Sequence, residues 1–341
     1  MKYVFIFSFF TLLVACNNES SPKADGAAKK MIGSVERIDP ALDAIISANA
    51  KAEIIADSFD WSEGPLWVEK YHMLLFSDVP QNTVYKWTEE KGKEVYLMPS
   101  GYTDTTIKRG GEMGSNGLLL DNDGNLVLCQ DGDRRMGRMN SSPDMPKPSY
   151  SNIADHYNGK RFSSPNDAVY NAKGELFFTD PPYGLEKQAD DPKKETIYNG
   201  VYKVKTNGQV ILLLDSITRP NGIALFPGEK KLLIANSDPA KPNWYIYDIE
   251  GTDSLKNGRI FNTVAGYDKS LKGLPDGMKI DKNGNVIASG PGGIYFFNSE
   301  GKLLGKFNIP DNPASNCALS ADQKTLYVTN DMNVLRIKMR D

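Results

Sequence analysis

Asn116-Gly-Leu-Leu-Leu-Asp-Asn-Asp-Gly-Asn-Leu-Val-Leu-Cys-Gln130 decides the fold. It opens on an amide, runs through a short apolar strand, turns on an Asp/Asn/Gly cluster and returns as a second apolar strand. The same unit stands at five other places. These are Glu63-Gly-Pro-Leu-Trp-Val with Met73-Leu-Leu-Phe-Ser-Asp78, Asn166 to Asp180, Asn221 to Asn236, Asp276 to Ser289, and Asn316 to Asn330. Successive heads lie about 40 to 55 residues apart, the period of a four-stranded propeller blade. Thr83–Trp87, Gly200–Val204 with Gln209–Leu213, and Trp244–Tyr247 fall between the units and supply the outer strands. A β-sandwich would not explain six nearly equal periods, so the expectation is an all-β, six-bladed β-propeller over residues 53–341. Helical periodicity is nearly absent, and only Pro40 to Ala52 is expected to form a short helix.

The 341 residues carry a formal net charge of −3 and no Lys/Arg run, which argues against a nucleic-acid partner. Lys2 is followed by an apolar run from Tyr3 to Ala15, too short to span a bilayer and right for a signal-peptide core. It ends Leu13-Val14-Ala15-Cys16, which resembles a bacterial lipobox with Cys16 as the acylated residue. Residues 1–16 are therefore expected to be a lipoprotein signal, and 17–52 a tether with a short N-terminal extension. Asn17 lacks the usual Asp-type retention signal, so the expected place is the cell envelope, on the periplasmic face of the outer membrane. Membrane contact is expected only through that anchor, and the chain is expected to be a monomer. Cys129 and Cys317 remain; one disulfide is open to them, and two buried free thiols are the expectation. His72 and His156 have no partner at metal-ligand spacing.

In a propeller, equivalent positions of each blade ring a central channel at one depth. Glu63, Asn116, Asn166, Asn221, Asp276 and Asn316 should thus surround one mouth. Any one Asn-Gly or Asp-Gly pair alone reads as a turn. Six in register do not, and Glu63 is a poor turn residue. Carboxylate and amide oxygens without nitrogen or sulfur form a hard-cation site. Glu63 and Asp276 bring two charges, Asn166 and Asn221 neutral oxygens, and one divalent cation is expected. Ca²⁺ fits best, with Mg²⁺, Mn²⁺ or Zn²⁺ as alternatives. Four protein ligands leave positions for water and substrate.

Glu63-Gly-Pro-Leu-Trp67, Ser164-Pro-Asn-Asp167, Arg219-Pro-Asn-Gly222 and Pro275-Asp-Gly-Met278 resemble the signature stations of the senescence marker protein / gluconolactonase / luciferin-regenerating enzyme family. Gly159–Asn166 and Phe178–Gly184 resemble its bacterial gluconolactonase branch. The resemblance runs in order from about Ile54 to Met339. It implies a propeller with one catalytic divalent cation that hydrolyses aldonolactones. It also implies Glu63, Asn221 and Asp276 as metal ligands, Asn166 as a further ligand or substrate contact, and Asp276 as general base. Animal members carry an arginine two residues before the third-station Asn, where this chain has Ser164; Arg161 lies close in sequence.

Asn116, Asn166, Arg161, Asp180 and Tyr183 are the expected substrate contacts, and Arg219 also belongs to a motif loop. The charged stretch Glu186 to Glu195 reads as a solvated loop. Two other functions fit the same residues: a phosphotriesterase or different lactonase using the same cation, since a Lewis acid polarises P=O as readily as C=O, and a non-enzymatic binding module with a structural cation.

Overall fold

The computed structural model describes Met1 and residues 30–104, 111–251 and 253–340. Cys16, the rest of the signal segment and most of the tether lie outside the described residues.

Six antiparallel sheets form the six blades of a propeller. Blade 1 comprises Ser62–Val68, Met73–Asp78, Thr83–Thr88 and Gly92–Leu97. Blade 2 comprises Ser115–Leu120, Leu126–Gln130, Arg135–Met139 and Tyr150–Ala154. Blade 3 holds Ala168–Tyr170, Leu176–Asp180, Gly200–Val204 and Val210–Leu214. Blade 4 holds Pro220–Leu225, Lys231–Asn236, Asn243–Glu250 and Ser254–Thr263. Blade 5 begins with Met278–Ile280, Val286–Gly290, Gly293–Phe297 and Leu303–Asn308, and blade 6 with Asn316–Leu319, Thr325–Asn330 and Asn333–Lys338.

The ring is closed from the N-terminal side. Ala52–Asp57 pairs antiparallel with Asn333–Lys338, Ala56 opposite Val334, and so supplies the fourth strand of blade 6. Ser34–Arg37 adds a fifth strand to blade 5, and Met31–Ile32 a fifth to blade 6. Joining the two ends of the chain in one sheet leaves the ring no open edge between its first and last blades. Between these strands the expected helix is shorter than Pro40 to Ala52: a 3-10 helix spans Pro40–Ala44, with Asp39 accepting from the Ala41 amide. Leu42, Ile45 and Ile46 are buried, and the chain must then turn to deliver Ala52 to the sheet edge.

The first strand of each blade touches the first strand of the next, and the sixth touches the first, so the head-bearing strands are innermost. Both faces of a blade meet a neighbour. The inner strands therefore read as continuous apolar runs, Met73-Leu-Leu-Phe76 and Leu232-Leu-Ile-Ala235, and every one of those side chains is buried. The buried apolar residues fall into six clusters, one at each blade interface. Leu118 and Leu128 of blade 2 pack with Leu75 and Val84 of blade 1, and Phe178 and Tyr202 of blade 3 pack with Val127 and Met136 of blade 2. Cys129 and Cys317 are free thiols inside two such clusters.

The hairpin turns repeat in detail. Asp121, Asn171 and Asp281 each end the first strand and accept two backbone N–H groups from the following turn through one side-chain oxygen.

Candidate active site

Glu63, Asn116, Asn221 and Asn316 sit in strands, and Asn166 and Asp276 each stand two residues before the first strand of their blade. In blades 1, 2 and 4 the register slips at the head, between Glu63 and Leu66, Ser115 and Leu118, and Pro220 and Ile223. Such bulges re-aim a side chain without ending the sheet. The glycine after the head serves close approach between blades. A Cβ at Gly64 would stand 2.1 Å from the Asn116 carbonyl oxygen, and one at Gly222 would stand 2.2 Å from that of Asp276.

A second repeated device fixes the preceding loop in five blades; in blade 5 the second strand ends on Gly290. In those five the residue ending the second strand turns back and grips that loop. Asp78 accepts from the amides of Asp60 and Trp61, and Asn236 accepts from Arg219. Asp180 accepts from Ser163 at 2.9 Å and Ser164 at 2.7 Å. Asn330 and Gln130 donate instead, to Asn312 and Pro313 and to Ser100.

On this frame a cavity of about 430 Å³ opens at one mouth of the channel. Glu63, Asn116, Asn166, Asn221, Asp276 and Tyr183 all line it, with Trp61, Glu112, Arg219, Ser237 and Tyr267. Asn316 is in the ring but does not line the cavity. Its Oδ1 accepts from Cys317, and its amide fills the space above Gly277.

Two other expected contacts are elsewhere. Asp180 is buried behind the cavity and spends both oxygens on the 163–164 loop. Arg161 is exposed on the hairpin His156–Tyr157/Lys160–Arg161, where its guanidinium donates to the Asp133 carbonyl and its amide to Glu195. Ser164 is consumed as well: it donates to the Pro181 carbonyl and accepts from the Gly184 amide, welding two motif loops together. Among the described residues, Arg219 is the arginine that lines the cavity.

The cavity is acidic. Burial pushes the Glu63 carboxyl well above its ordinary range; the Gly64 amide opposes this at 3.0 Å, and Asp167 and Glu112 add to it. The Asp276 carboxyl is raised by burial, then by the like charges of Glu63, Asp167 and Glu112. Glu112 keeps some exposure, yet burial lifts it to about 7. Among the described residues, Asn166 Oδ1 and Asp276 Oδ1 in the site are buried without a hydrogen-bond partner. Among the described residues no cluster of three or more Asp, Glu, His and Cys side chains is placed to hold a metal ion; the expected ligand set has only two carboxylates and completes itself with amides.

Glu112 lies outside the repeat, in the connection between blades 1 and 2, and no periodicity points to it. Trp61 was findable. The residue two before the head is Trp61, Arg219, Leu274 or Ala314 in four blades, and all four line the cavity.

Known proteins agree with this architecture. The chain is 39% identical over 314 residues to a gluconolactonase of Zymomonas mobilis, covering 91% of this chain and 87% of the relative. It is 28% identical to the diisopropyl-fluorophosphatase of Loligo vulgaris over 51% of this chain and 56% of that one. A solved gluconolactonase from Xanthomonas campestris superposes with a TM-score of 0.78 at 27% identity, covering 92% of this chain and 99% of that one. Residues 61–331 match the family described as the SMP-30/gluconolactonase/LRE-like region, and they contain every lining residue of the cavity, so the chain belongs to that family.

Proposed function

We propose that the chain is a hydrolase of sugar lactones that works with one divalent cation, Ca²⁺, at the acidic cavity. The carrying observation is the pairing of two unsatisfied buried oxygens, Asn166 Oδ1 and Asp276 Oδ1, with two carboxyls that repel each other there. Unpaired buried acceptors and mutually destabilised carboxylates both fit a cation. Glu63, Asn166, Asn221 and Asp276 would hold it, an all-oxygen set that suits Ca²⁺. When bound, such a cation supplies Lewis-acid polarisation of the lactone carbonyl and lowers the pKa of water.

The chain's own residues do the rest. Asp276 takes the proton of the attacking water, held by a backbone locked against Gly222. Asn116 and Tyr183 stand at the cavity wall to take the sugar hydroxyls, and Arg219 to meet the carboxylate that ring opening creates. The relative from Zymomonas supports a sugar lactone as substrate. The half-length likeness to a fluorophosphatase keeps a phosphotriester in the test. Acylation at Cys16 and a place in the cell envelope complete the reading, supported by the Leu13–Cys16 pattern.

The test follows acid release from gluconolactone, a homoserine lactone and a fluorophosphate, with Ca²⁺ and after chelation. Cation-dependent opening of gluconolactone is expected, and Asp276→Asn should lower kcat by about 10²–10⁴-fold. No turnover of any ester by the calcium-loaded chain would overturn the enzymatic reading.

A further inference from the structure

The Ser237 hydroxyl, one residue past the end of the second strand of blade 4, is a junction between two parts of the cavity, Asn221 and the peptide before Asp276. It donates its only proton to the Pro275 carbonyl at 2.5 Å. With that proton spent, its oxygen can only accept. It receives Asn221 Nδ2 at 3.0 Å. Ser237 is buried, and its own amide donates to the Arg219 carbonyl at 3.0 Å, which fixes where the hydroxyl sits.

This arrangement settles the orientation of an amide. An acceptor-only hydroxyl faces the NH₂ end of Asn221 and would repel its carbonyl end. Asn221 Oδ1 is therefore turned away from Ser237. The same hydroxyl ties down the peptide immediately before Asp276. One side chain thus sets the neutral oxygen donor of blade 4 and the charged donor of blade 5 together.

We propose that Ser237 is a positioning residue for cation binding, acting through Asn221 and the Pro275–Asp276 peptide. The proposal rests on the reading of the cavity as a cation site. Partners that orient a ligand without touching the metal commonly affect affinity by about 10–100-fold. Threonine keeps the hydroxyl and alanine removes it. Alanine also leaves the Asn221 amide free to turn its nitrogen toward the cation position.

Calcium chloride titrated calorimetrically into the chelator-treated full chain tests this. Wild type should bind, Ser237→Ala should bind about 10–100-fold more weakly, and Ser237→Thr should return to within a few-fold of wild type. The calcium-induced rise in melting temperature should shrink in Ser237→Ala and recover in Ser237→Thr. A merely structural serine would lower the metal-free melting temperature and leave that rise unchanged. A cycle with Asn221→Ala locates the effect: Ser237→Ala should cost less further affinity in that background than in wild type, the remainder reporting the arm through the Pro275–Asp276 peptide. Folded Ser237→Ala that binds calcium as wild type does, or full additivity in the cycle, overturns the positioning role while leaving the cation site standing. Failure of wild type to bind calcium overturns the cation site and the role with it.

Discussion

Gly222 of blade 4 lies directly against Asp276 of blade 5: a side chain as small as a methyl group at 222 would sit 2.2 Å from the Asp276 carbonyl oxygen. The contact joins the glycine after one head to the next head in the ring. Gly117 repeats it on Asn166 with more room, 2.8 Å. Gly222→Ala should destabilise the chain by about 1–3 kcal/mol through overpacking. It should also displace the proposed base, and a shift of about 1 Å there costs on the order of 100-fold in rate. Gly117→Ala should do less of both. Urea unfolding and lactone hydrolysis at saturating calcium measure the two effects; equal losses in the two variants would refute the graded contact.

The buried carboxyls make a signed statement about pH. Burial raises Glu112 and Asp180 to about 7, and Glu63 and Asp276 are raised as well. In the unfolded chain these groups ionise near pH 4. A raised folded-state pKa gives stability that is present below the unfolded value and lost as pH climbs through the folded one. The chelator-treated chain should therefore show a lower urea midpoint at about pH 8 than at about pH 5. Calcium should restore more stability at the higher pH, where protons no longer compete for the same oxygens. A midpoint that is flat or rises over this interval would contradict the burial of these groups.

The ring was legible because six heads share chemistry and period, and a propeller converts period into position around a channel. What the sequence hid was the direction in which side chains face. Asp180 follows an apolar strand and precedes a Pro-Pro turn, which reads as a loop at the mouth. The same placement puts Asp78, Asn236 and Asn330 at the ends of second strands, each gripping a loop. Arg161 is close to Asn166 in sequence, yet the hairpin carrying it folds outward. Glu112 and Ser237 escaped notice because each stands outside the repeated unit.

Asp180 as a clamp predicts a thermodynamic effect, where a substrate contact would predict a kinetic one. Asp180→Ala orphans the Ser163 and Ser164 amides, and each unsatisfied buried N–H costs about 1–3 kcal/mol. Asp180→Asn keeps one acceptor and should fall between alanine and wild type. Both variants should lose stability in chemical denaturation, and Asn166, two residues past Ser164, should lose position with it. A raised KM at unchanged stability would instead return Asp180 to the substrate.

Between Arg161 and Arg219, their surroundings decide which meets the carboxylate that ring opening produces. Arg161 is exposed, its guanidinium is engaged by the Asp133 carbonyl, and it does not line the cavity. Arg219 lines the cavity two residues before Asn221, with its amide held by Asn236 and its carbonyl by Ser237. Its backbone is therefore fixed while its side chain is exposed at the mouth. Arg161→Ala should leave kcat/KM within about twofold, as surface substitutions generally do. Arg219→Met should weaken binding of the aldonate product and raise KM by about tenfold, the scale of one hydrogen bond to a charged group. Steady-state kinetics with added gluconate as inhibitor measures both. A larger effect at Arg161 than at Arg219 would mean that the hairpin, and not the Arg219-Pro-Asn221 loop, holds the sugar acid.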